Sequence, residues 1–305
     1  MTVINTNISS IQAQSAMRTT RASTEKAMER LSTGLKLNSA GDDAAGLAIS
    51  SRMTSQIKGL NMAVKNAEDG ISLTQTAEGA LGEVQNMLQR MRELSLQAAN
   101  DTNSSDDRAY LQTELKALST EIDRVAATTT FNNKLLFSGS DFGTFSSGGS
   151  VSSPSKVTLS IQVGSNTGSS EKVEITLQQT SATLLGVTVG SGATDLKFTA
   201  DSTFPTSGNS AGQNALAAVT AVDAALKNVT NLRSSFGAIQ NRLEHTVSNL
   251  TNIATNTELA RSRIQDADYA QETSNMTRGQ ILQQAGTAML AQANKMSQSV
   301  MSLLQ

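Results

Sequence analysis

The sequence predicts a mainly α-helical protein in which paired N- and C-terminal arms form a long-helix coiled-coil bundle, with a small antiparallel β domain inserted in the middle. Three observations predict this fold class. Apolar residues recur at alternating steps of three and four in residues 1–137 and 213–305, which is typical of packed helices. Residues 138–212 are rich in Gly, Ser and Thr and contain short alternating runs. Because this segment is inserted between helical arms, we expect the arms to pair.

The N-terminal arm contains two successive helical patterns. The first begins near Ile57 and shifts phase near Leu81, and the second contains Leu111, Leu115, Leu118, Ile122 and Val125. The polar segment 100–107 between them predicts an antiparallel helical hairpin. Glycines inside the first pattern indicate either close neighbours or a break in the helix, and we expect one long helix; they are Gly59, Gly70, Gly79 and Gly82.

Both extreme ends of the chain have narrow apolar stripes. Their members are Ile4, Ile8 and Ile11 at one end, and Leu282, Met289, Ala293, Met296, Val300 and Leu303 at the other. A short helix is marginal on its own in water and depends on packing for its stability. The stripes therefore predict either an ordinary helix pair inside one domain or a seam used in assembly, and periodicity alone favours neither.

The middle segment changes from helical spacing to alternation. A Gly/Ser-rich stretch at 138–155 reads as a linker or exposed loop. Alternation follows in 157–163, 173–177 and 187–189, and more weakly in 196–198. These runs predict a small antiparallel module that buries little core of its own. Just before the linker, residues 131–137 predict a short β-hairpin packed on the helices.

The residues that carry chemistry are scarce. The chain has no Cys and one His, His245, on the heptad-patterned C-terminal helix, where a solvated or seam-edge role is expected. No phosphate-binding loop is present. Asp42 and Asp43 lie in a turn before a helix, where carboxylates cap free N–H groups, and Asp266 and Asp268 indicate a joint between helices. We therefore predict no enzyme activity, no cofactor and no metal site.

Charge and hydropathy exclude two further classes of function. The net charge is −2, so the basic footprint of a nucleic-acid binder is missing. No stretch approaches the roughly 20 apolar residues of a transmembrane helix, so no membrane insertion is expected. The first residues lack the basic and apolar regions of a secretory signal peptide, which is compatible with a cytosolic protein or with export by another route.

The motifs at the two ends resemble those of the bacterial flagellins. The resemblance rests on Ile4–Asn7 and Glu29–Gly46 near the start, and on Gly237–Arg242, Ser262–Ala270 and Gln280–Asn294 near the end. It implies a structural subunit of the flagellar filament, secreted and extracellular, exported through the flagellar type III apparatus with an export chaperone. It also implies other flagellin subunits, the filament cap and hook-associated proteins as partners.

The same resemblance implies a division into domains. Residues 1–42 and 268–305 correspond to an inner-core terminal coiled coil, in which the stripe residues from Ile4 to Leu303 would mediate self-assembly. Residues 43–140 and 213–267 correspond to a helical outer-tube domain with a β-hairpin. Residues 141–212 correspond to a small, surface-exposed variable β domain.

A further implication concerns the host receptor Toll-like receptor 5. Flagellins that it senses present an Arg, a nearby Leu and a Glu on the facing helix, and this chain matches the pattern with Gln89, Arg90, Glu93, Leu94 and Glu114. The same residues resemble a subunit-stacking surface. The alternative interpretation of Arg90 and Glu114 is a plain exposed ion pair, which would add little stability.

Two other classes of flagellar protein share the helical ends. A hook–filament junction protein has the same plan, but the full match of the end motifs favours the filament subunit. A relative that carries a metalloprotease in its middle is disfavoured, because the insert here is small and contains no His and no Cys.

Overall fold

The computed structural model describes residues 7–137, 156–166, 168–189, 196 and 211–302. The helices are α1 (Ile8–Thr33), α2 (Ala44–Ala98), α3 (Ser105–Thr128), α4 (Ala182–Leu185), α5 (Ala211–Gln265) and α6 (Tyr269–Ser302). The strands are β1 (Thr130–Phe131), β2 (Lys134–Leu135), β3 (Lys156–Gln162) and β4 (Lys172–Gln178). The predicted fold class is confirmed, because helical arms enclose a small antiparallel region.

The chain forms two compact units. One contains residues 1–58 and 253–305, and the other contains residues 59–252. The domain division expected from the sequence remains a prediction. Its borders after residues 42 and 267 fall in the two non-helical joints of the first unit, at 34–43 and 266–268.

The two joints of the first unit lie side by side. Leu35 and Asp266 form an isolated antiparallel bridge, the Lys36 N–H donates to the Gln265 carbonyl at 2.7 Å, and the Ala267 N–H donates to the Gly34 carbonyl at 3.0 Å. Gly34 ends α1 in the left-handed conformation, with φ of 72°. A side chain would be strained there, because that region favours glycine.

The second unit is built on α2, α3 and α5. Arg92 on α2 pairs with Asp223 on α5 at 2.6 Å, and further along Gln240 donates to Glu78 at 3.2 Å, so the two helices run antiparallel. The core of the unit is made mostly of buried aliphatic side chains and includes two buried aromatics. Its members include Leu81, Leu88, Met91, Leu115, Ile122, Val222, Phe137 and Phe236. The predicted hairpin of α2 and α3 is confirmed.

A capping box begins the third helix of the unit. The Asp107 N–H donates to the Ser104 hydroxyl, and the Asp107 carboxylate accepts from the Ser104 backbone N–H. The Ser104 hydroxyl also donates to the Asp107 carboxylate at 2.7 Å. This hydrogen bond, followed by the one from the Ser104 N–H, lowers the pKa of the Asp107 carboxyl. The two reciprocal hydrogen bonds satisfy N–H groups that the start of a helix leaves unpaired. Residues 104–107 therefore determine where α3 begins.

Helix α2 is continuous, as expected, and its glycines divide into two kinds. A Cβ on Gly70 would lie 2.4 Å from Ile161 Cδ1, and one on Gly59 would lie 3.0 Å from Ser165 Cβ. A Cβ on Gly79 or Gly82 would meet no described atom within 4 Å. Close approach of the β region therefore explains the first pair, whereas nothing in the structure explains the second.

The two hairpins of the second unit are both antiparallel. In the short one, β1 pairs with β2 around Asn132 and Asn133, whose φ values of 50° and 63° match a type I′ turn. In the longer one, β3 pairs with β4 over seven residue pairs. The predicted hairpin within 131–137 and the alternating runs at 157–163 and 173–177 are thereby confirmed.

The later part of the insert differs from the expected strand pattern. Residues 187–189 form no strand, because the short helix α4 and the left-handed Gly186 redirect the chain. Val187 and Leu185 instead join the same core as α2 and α5, and the Ala182 N–H donates to Asp123 on α3 at 2.8 Å. The described end of the insert thus packs on the helices. Residues 197 and 198 of the weaker run lie outside the described residues.

Candidate assembly and receptor surfaces

The two terminal helices pair with each other in antiparallel orientation. The Asn7 side-chain amide donates to the Ala293 carbonyl at 3.2 Å, and at the other end Arg30 Nη1 contacts Glu272 Oε1 at 2.8 Å. Asn7 also caps α1, because its side-chain oxygen accepts from the Ser10 N–H at 3.1 Å. The pairing of the extreme ends, expected from the sequence, is therefore present within one chain.

Small and polar side chains form most of this intramolecular seam. On both helices the buried or half-buried positions recur at steps of three and four, the spacing of a coiled coil. They are Ser10, Ala13, Met17, Thr20, Thr24, Ala27 and Leu31 on α1, and Glu272, Met276, Gly279, Gln283, Gly286, Leu290 and Ala293 on α6. A seam with so few large apolar groups buries little apolar area, so it stabilises the pair only weakly.

The apolar residues predicted as the assembly stripe lie mostly outside that seam. Ile8 is 59% exposed, Ile11 57%, Leu282 50% and Met289 65%. Ala293 is different, since it lies half-buried in the seam. We call the four exposed residues the terminal apolar face. Met28 and Ile281, which were not predicted as assembly residues, are also exposed on these helices. They do not continue either predicted stripe, so the sequence pattern did not mark them.

The remaining predicted assembly residues are Ile4, Met296, Val300 and Leu303. Ile4 and Leu303 lie outside the described residues. Met296 and Val300 belong to helix α6, which extends to Ser302. Their roles remain predictions.

The predicted receptor residues form one charged cluster on α2 and α3. Arg90 Nη1 contacts Glu93 Oε2 at 3.1 Å, and Arg90 Nη2 contacts Glu114 Oε1 at 2.9 Å. The hydrogen bond that Arg90 donates to Glu114, followed by the one that it donates to Glu93, raises the pKa of Arg90. Gln89 is exposed beside them. The structure thus brings four of the five predicted residues together at the surface.

Leu94, the fifth predicted receptor residue, occupies a different environment. It is 1% exposed and belongs to the core of the second unit. Its buried side chain offers no surface to a partner. The exposed leucine of the same segment is Leu96, at 45%. Helical spacing contained this signal, because Leu94 follows Met91 at a step of three and continues the buried row of α2, whereas Leu96 does not.

The acidic residues of the joints have structural roles. Asp43 accepts from the N–H groups of Ala45 and Gly46, each at 3.0 Å, and Asp268 accepts from that of Ala270 at 2.9 Å. The predicted caps and the predicted joint between helices are confirmed for these two aspartates.

Asp42 instead holds the turn that precedes α2. Its carboxylate pairs with Lys26 at 2.7 Å and accepts from the N–H groups of Asn38 and Ser39. These contacts, Lys26 first, hold the pKa of the Asp42 carboxyl well below its usual range. Within the described ranges no group of three His, Cys, Asp or Glu residues could hold a metal ion, and no described helix has the length and apolarity needed to cross a membrane.

The terminal helices pair with each other, and large apolar side chains stay exposed on the pair. These features are typical of a helical structural protein that assembles with other copies of itself. Two family models match the chain: the bacterial flagellin N-terminal helical region over residues 4–141 and the bacterial flagellin C-terminal helical region over residues 219–304. The chain belongs to the bacterial flagellin family. It is accordingly a structural subunit of the flagellar filament, which is part of an extracellular appendage.

Individual relatives agree with the family models. The chain is 45% identical to a flagellin of Halalkalibacterium halodurans and 42% identical to the flagellin of Bacillus subtilis, in each case over 99% of both chains. Among solved structures it resembles a protein described as flagellar hook-associated from Vibrio parahaemolyticus, at 19% identity and a TM-score of 0.55. That match covers 74% of this chain and 100% of the other, and it shows a shared fold alone.

Proposed function

We propose that the chain polymerises through the terminal apolar face, after its own ends have paired. The observation that carries this proposal is the division between the seam and the face. Small and polar residues such as Thr24 and Gly279 join α1 to α6, whereas Ile8, Ile11 and Met289 stay exposed. Large apolar side chains that stay exposed along both helices of a pair are candidates for contacts with other subunits.

The electrostatics of the chain fit association between copies. The net charge of −2 over 305 residues generates little long-range repulsion between subunits. Burial of the face would then supply the driving force, because each fully buried Leu, Ile or Met contributes roughly 1.5–3 kcal/mol. Repetition of the contact along a polymer would multiply a gain that is small for one pair.

The direct test is polymerisation of the purified full chain. The monomer is seeded with filament fragments or treated with a precipitating salt, and the product is inspected by electron microscopy. We expect helical filaments. A shortened variant lacks the last residues, including Met296, Val300 and Leu303. We expect this variant to stay soluble and monomeric. Amorphous precipitate from the full chain, or normal filaments from the shortened one, would count against the proposal.

We further propose that the Arg90–Glu93–Glu114 cluster is recognised by Toll-like receptor 5. The cluster is exposed, and Arg90 is held in one orientation by two carboxylates. An arginine oriented in this way loses less side-chain entropy when a partner binds. Exposed ion pairs contribute little to folding, so the cluster can be altered without unfolding the chain.

A matched control is available on the same helix hairpin. Arg124 and Glu121 form a second exposed ion pair, at 2.5 Å, on α3. We expect Arg90→Ala with Glu114→Ala to reduce receptor activation at least tenfold, a loss of about 1.4 kcal/mol in binding, while Arg124→Ala with Glu121→Ala leaves it unchanged. Equal responses from the two double variants would contradict the proposal.

Secretion through the flagellar type III apparatus, with an export chaperone, completes the proposal. The support is membership of the family, together with the paired ends that are expected to form only after export. Comparing the medium of a wild-type strain with that of a strain whose export apparatus is disabled tests it. Retention of the chain in the second strain is expected, and equal secretion would exclude this route.

A hook–filament junction role is the second candidate. The fold match with the hook-associated protein concerns architecture only, whereas the relatives that match along 99% of the chain are flagellins. Long filaments formed by the chain alone would favour the filament subunit, and short capped complexes would favour the junction protein.

A further inference from the structure

A partly buried ion pair joins the two terminal helices near the joints. The Arg30 and Glu272 side chains are 24% and 9% exposed, and they come from positions 242 residues apart in the sequence. Both oxygens of Glu272 are engaged, since Oε1 accepts from Arg30 at 2.8 Å and Oε2 accepts from the Asn275 amide at 3.3 Å. A charge in this position is costly unless its partner is in place.

The rest of the seam repeats itself with a period of seven residues. Gly279 and Gly286 each form a hole on α6, and a Cβ there would lie 2.1 Å from Thr24 Oγ1 and 2.8 Å from Met17 Cγ, respectively. Thr24 and Met17 are likewise seven residues apart. Sliding one helix by a heptad would therefore place Thr24 over the other glycine, a residue of the same size.

Among the side-chain contacts between α1 and α6, the charged one distinguishes the registers most clearly. A slide of one heptad in one direction would bring Ser23 opposite Glu272, and a slide in the other would carry Glu272 beyond Thr33, where α1 ends. Either slide separates Arg30 from Glu272. The bridge between Leu35 and Asp266 also restrains this end, but its hydrogen bonds are between backbone groups and do not depend on side-chain identity.

We propose that the Arg30–Glu272 pair sets the register of the terminal helix pair, and thereby the position of Leu282 and Met289 relative to Ile8 and Ile11. Buried polar groups fix register in coiled coils in the same way, at some cost in stability. The consequence for assembly rests on the proposed function, because a slipped pair would present a misaligned apolar face to other subunits.

The absence of Cys from the chain allows register to be read directly by disulfide trapping in the monomer. The pair Thr24→Cys with Gly279→Cys reports the observed register, since the two Cβ atoms would be 3.3 Å apart, close to the ~3.5–4.5 Å of a disulfide. The pairs Thr24→Cys with Gly286→Cys and Met17→Cys with Gly279→Cys report the two slipped registers. The first carries Met17→Ala and the second Thr24→Ala, because a side chain at 286 or 279 would otherwise clash with Met17 or Thr24 in the observed register.

In the parent background we expect the first pair to cross-link and the other two to remain reduced. With Arg30→Met added, we expect the ratio of observed to slipped cross-links to fall by roughly a hundredfold, in keeping with the cost of an unpaired buried charge. Exchanging the charges, with Arg30→Glu and Glu272→Arg together, should restore most of the ratio.

Two results would overturn the proposal. If Arg30→Met leaves the observed cross-link dominant, the backbone bridge sets the register by itself. If it weakens every cross-link without raising the slipped ones, the ion pair only stabilises the helices. Both readouts come from the monomer, so a correctly registered chain that fails to polymerise would count against the proposed function and not against the register assignment.

Discussion

Replacing two residues of the terminal apolar face should raise the concentration needed for polymerisation. The change is Leu282→Gln together with Met289→Gln. Glutamine has nearly the same helix propensity as leucine and methionine, so α6 itself should be little affected. Neither residue belongs to the seam with α1, so the internal helix pair should also persist.

The size of the effect follows from the exposed fractions. Leu282 and Met289 are 50% and 65% exposed in the single chain, so about half of each side chain remains available for burial between subunits. At roughly 1.5–3 kcal/mol for complete burial, the two losses sum to about 1.7–3.5 kcal/mol. One factor of ten corresponds to about 1.4 kcal/mol, so the critical concentration should rise roughly 15- to 300-fold.

The assay is sedimentation of seeded filaments over a range of total protein concentrations, with circular dichroism of the monomer as a check on folding. Leu216→Gln is the matched control, because Leu216 is 54% exposed on α5, outside the terminal helix pair. We expect it to leave the critical concentration within about twofold of the parent value, as for a surface change that removes no contact. An unchanged critical concentration in the Leu282 and Met289 double variant would falsify the assembly argument.

Two further predictions concern the stability of the monomer. Gly70→Ala should destabilise the second unit by about 1–2 kcal/mol in urea unfolding, because overpacking against Ile161 outweighs the gain in helix propensity. Gly79→Ala, whose new side chain meets no described neighbour, should stabilise the unit by about 0.5–1 kcal/mol. A change of the same sign in both variants would refute the packing argument. Asp42→Asn should lower the urea midpoint at pH 7, because the lowered pKa of Asp42 beside Lys26 means that the ionised carboxylate stabilises the folded chain. This contribution to stability is complete above the ordinary aspartate pKa of about 3.9 and declines as the pH falls below that value. The difference from the parent chain should therefore shrink at pH 3, and a constant difference would contradict the role of the carboxylate.

Local features were readable from the sequence because their causes lie within a few residues. The caps formed by Asp43 and Asp268 and the tight turn at Asn132 and Asn133 depend on neighbouring backbone groups. Periodicity likewise predicted the helices, and the family motifs predicted that the ends pair. Each of these depends on spacing or on residue type, which the sequence states directly.

The tertiary structure decided which face of each helix meets which neighbour. The sequence marked Ile8 and Leu282 as members of apolar stripes, but the intramolecular seam uses Thr24 and Gly279 instead and leaves those stripes exposed. A stripe shows that a helix requires a partner without showing whether the partner is in the same chain. Periodicity alone therefore could not choose between an internal pair and an assembly seam, and the structure assigns different residues to the pair and to the exposed face.

Contacts between distant residues were beyond the sequence for a related reason. Arg30 and Glu272 lie 242 residues apart in the sequence, and nothing local to either residue shows that they face each other. By itself, the sequence determined the helical arms, their caps and the two β-hairpins, since these follow from local propensity and spacing. Rotation and register depend on contacts between residues far apart in the sequence, so the tertiary structure alone determined which side chains of the terminal pair are exposed and which charges meet.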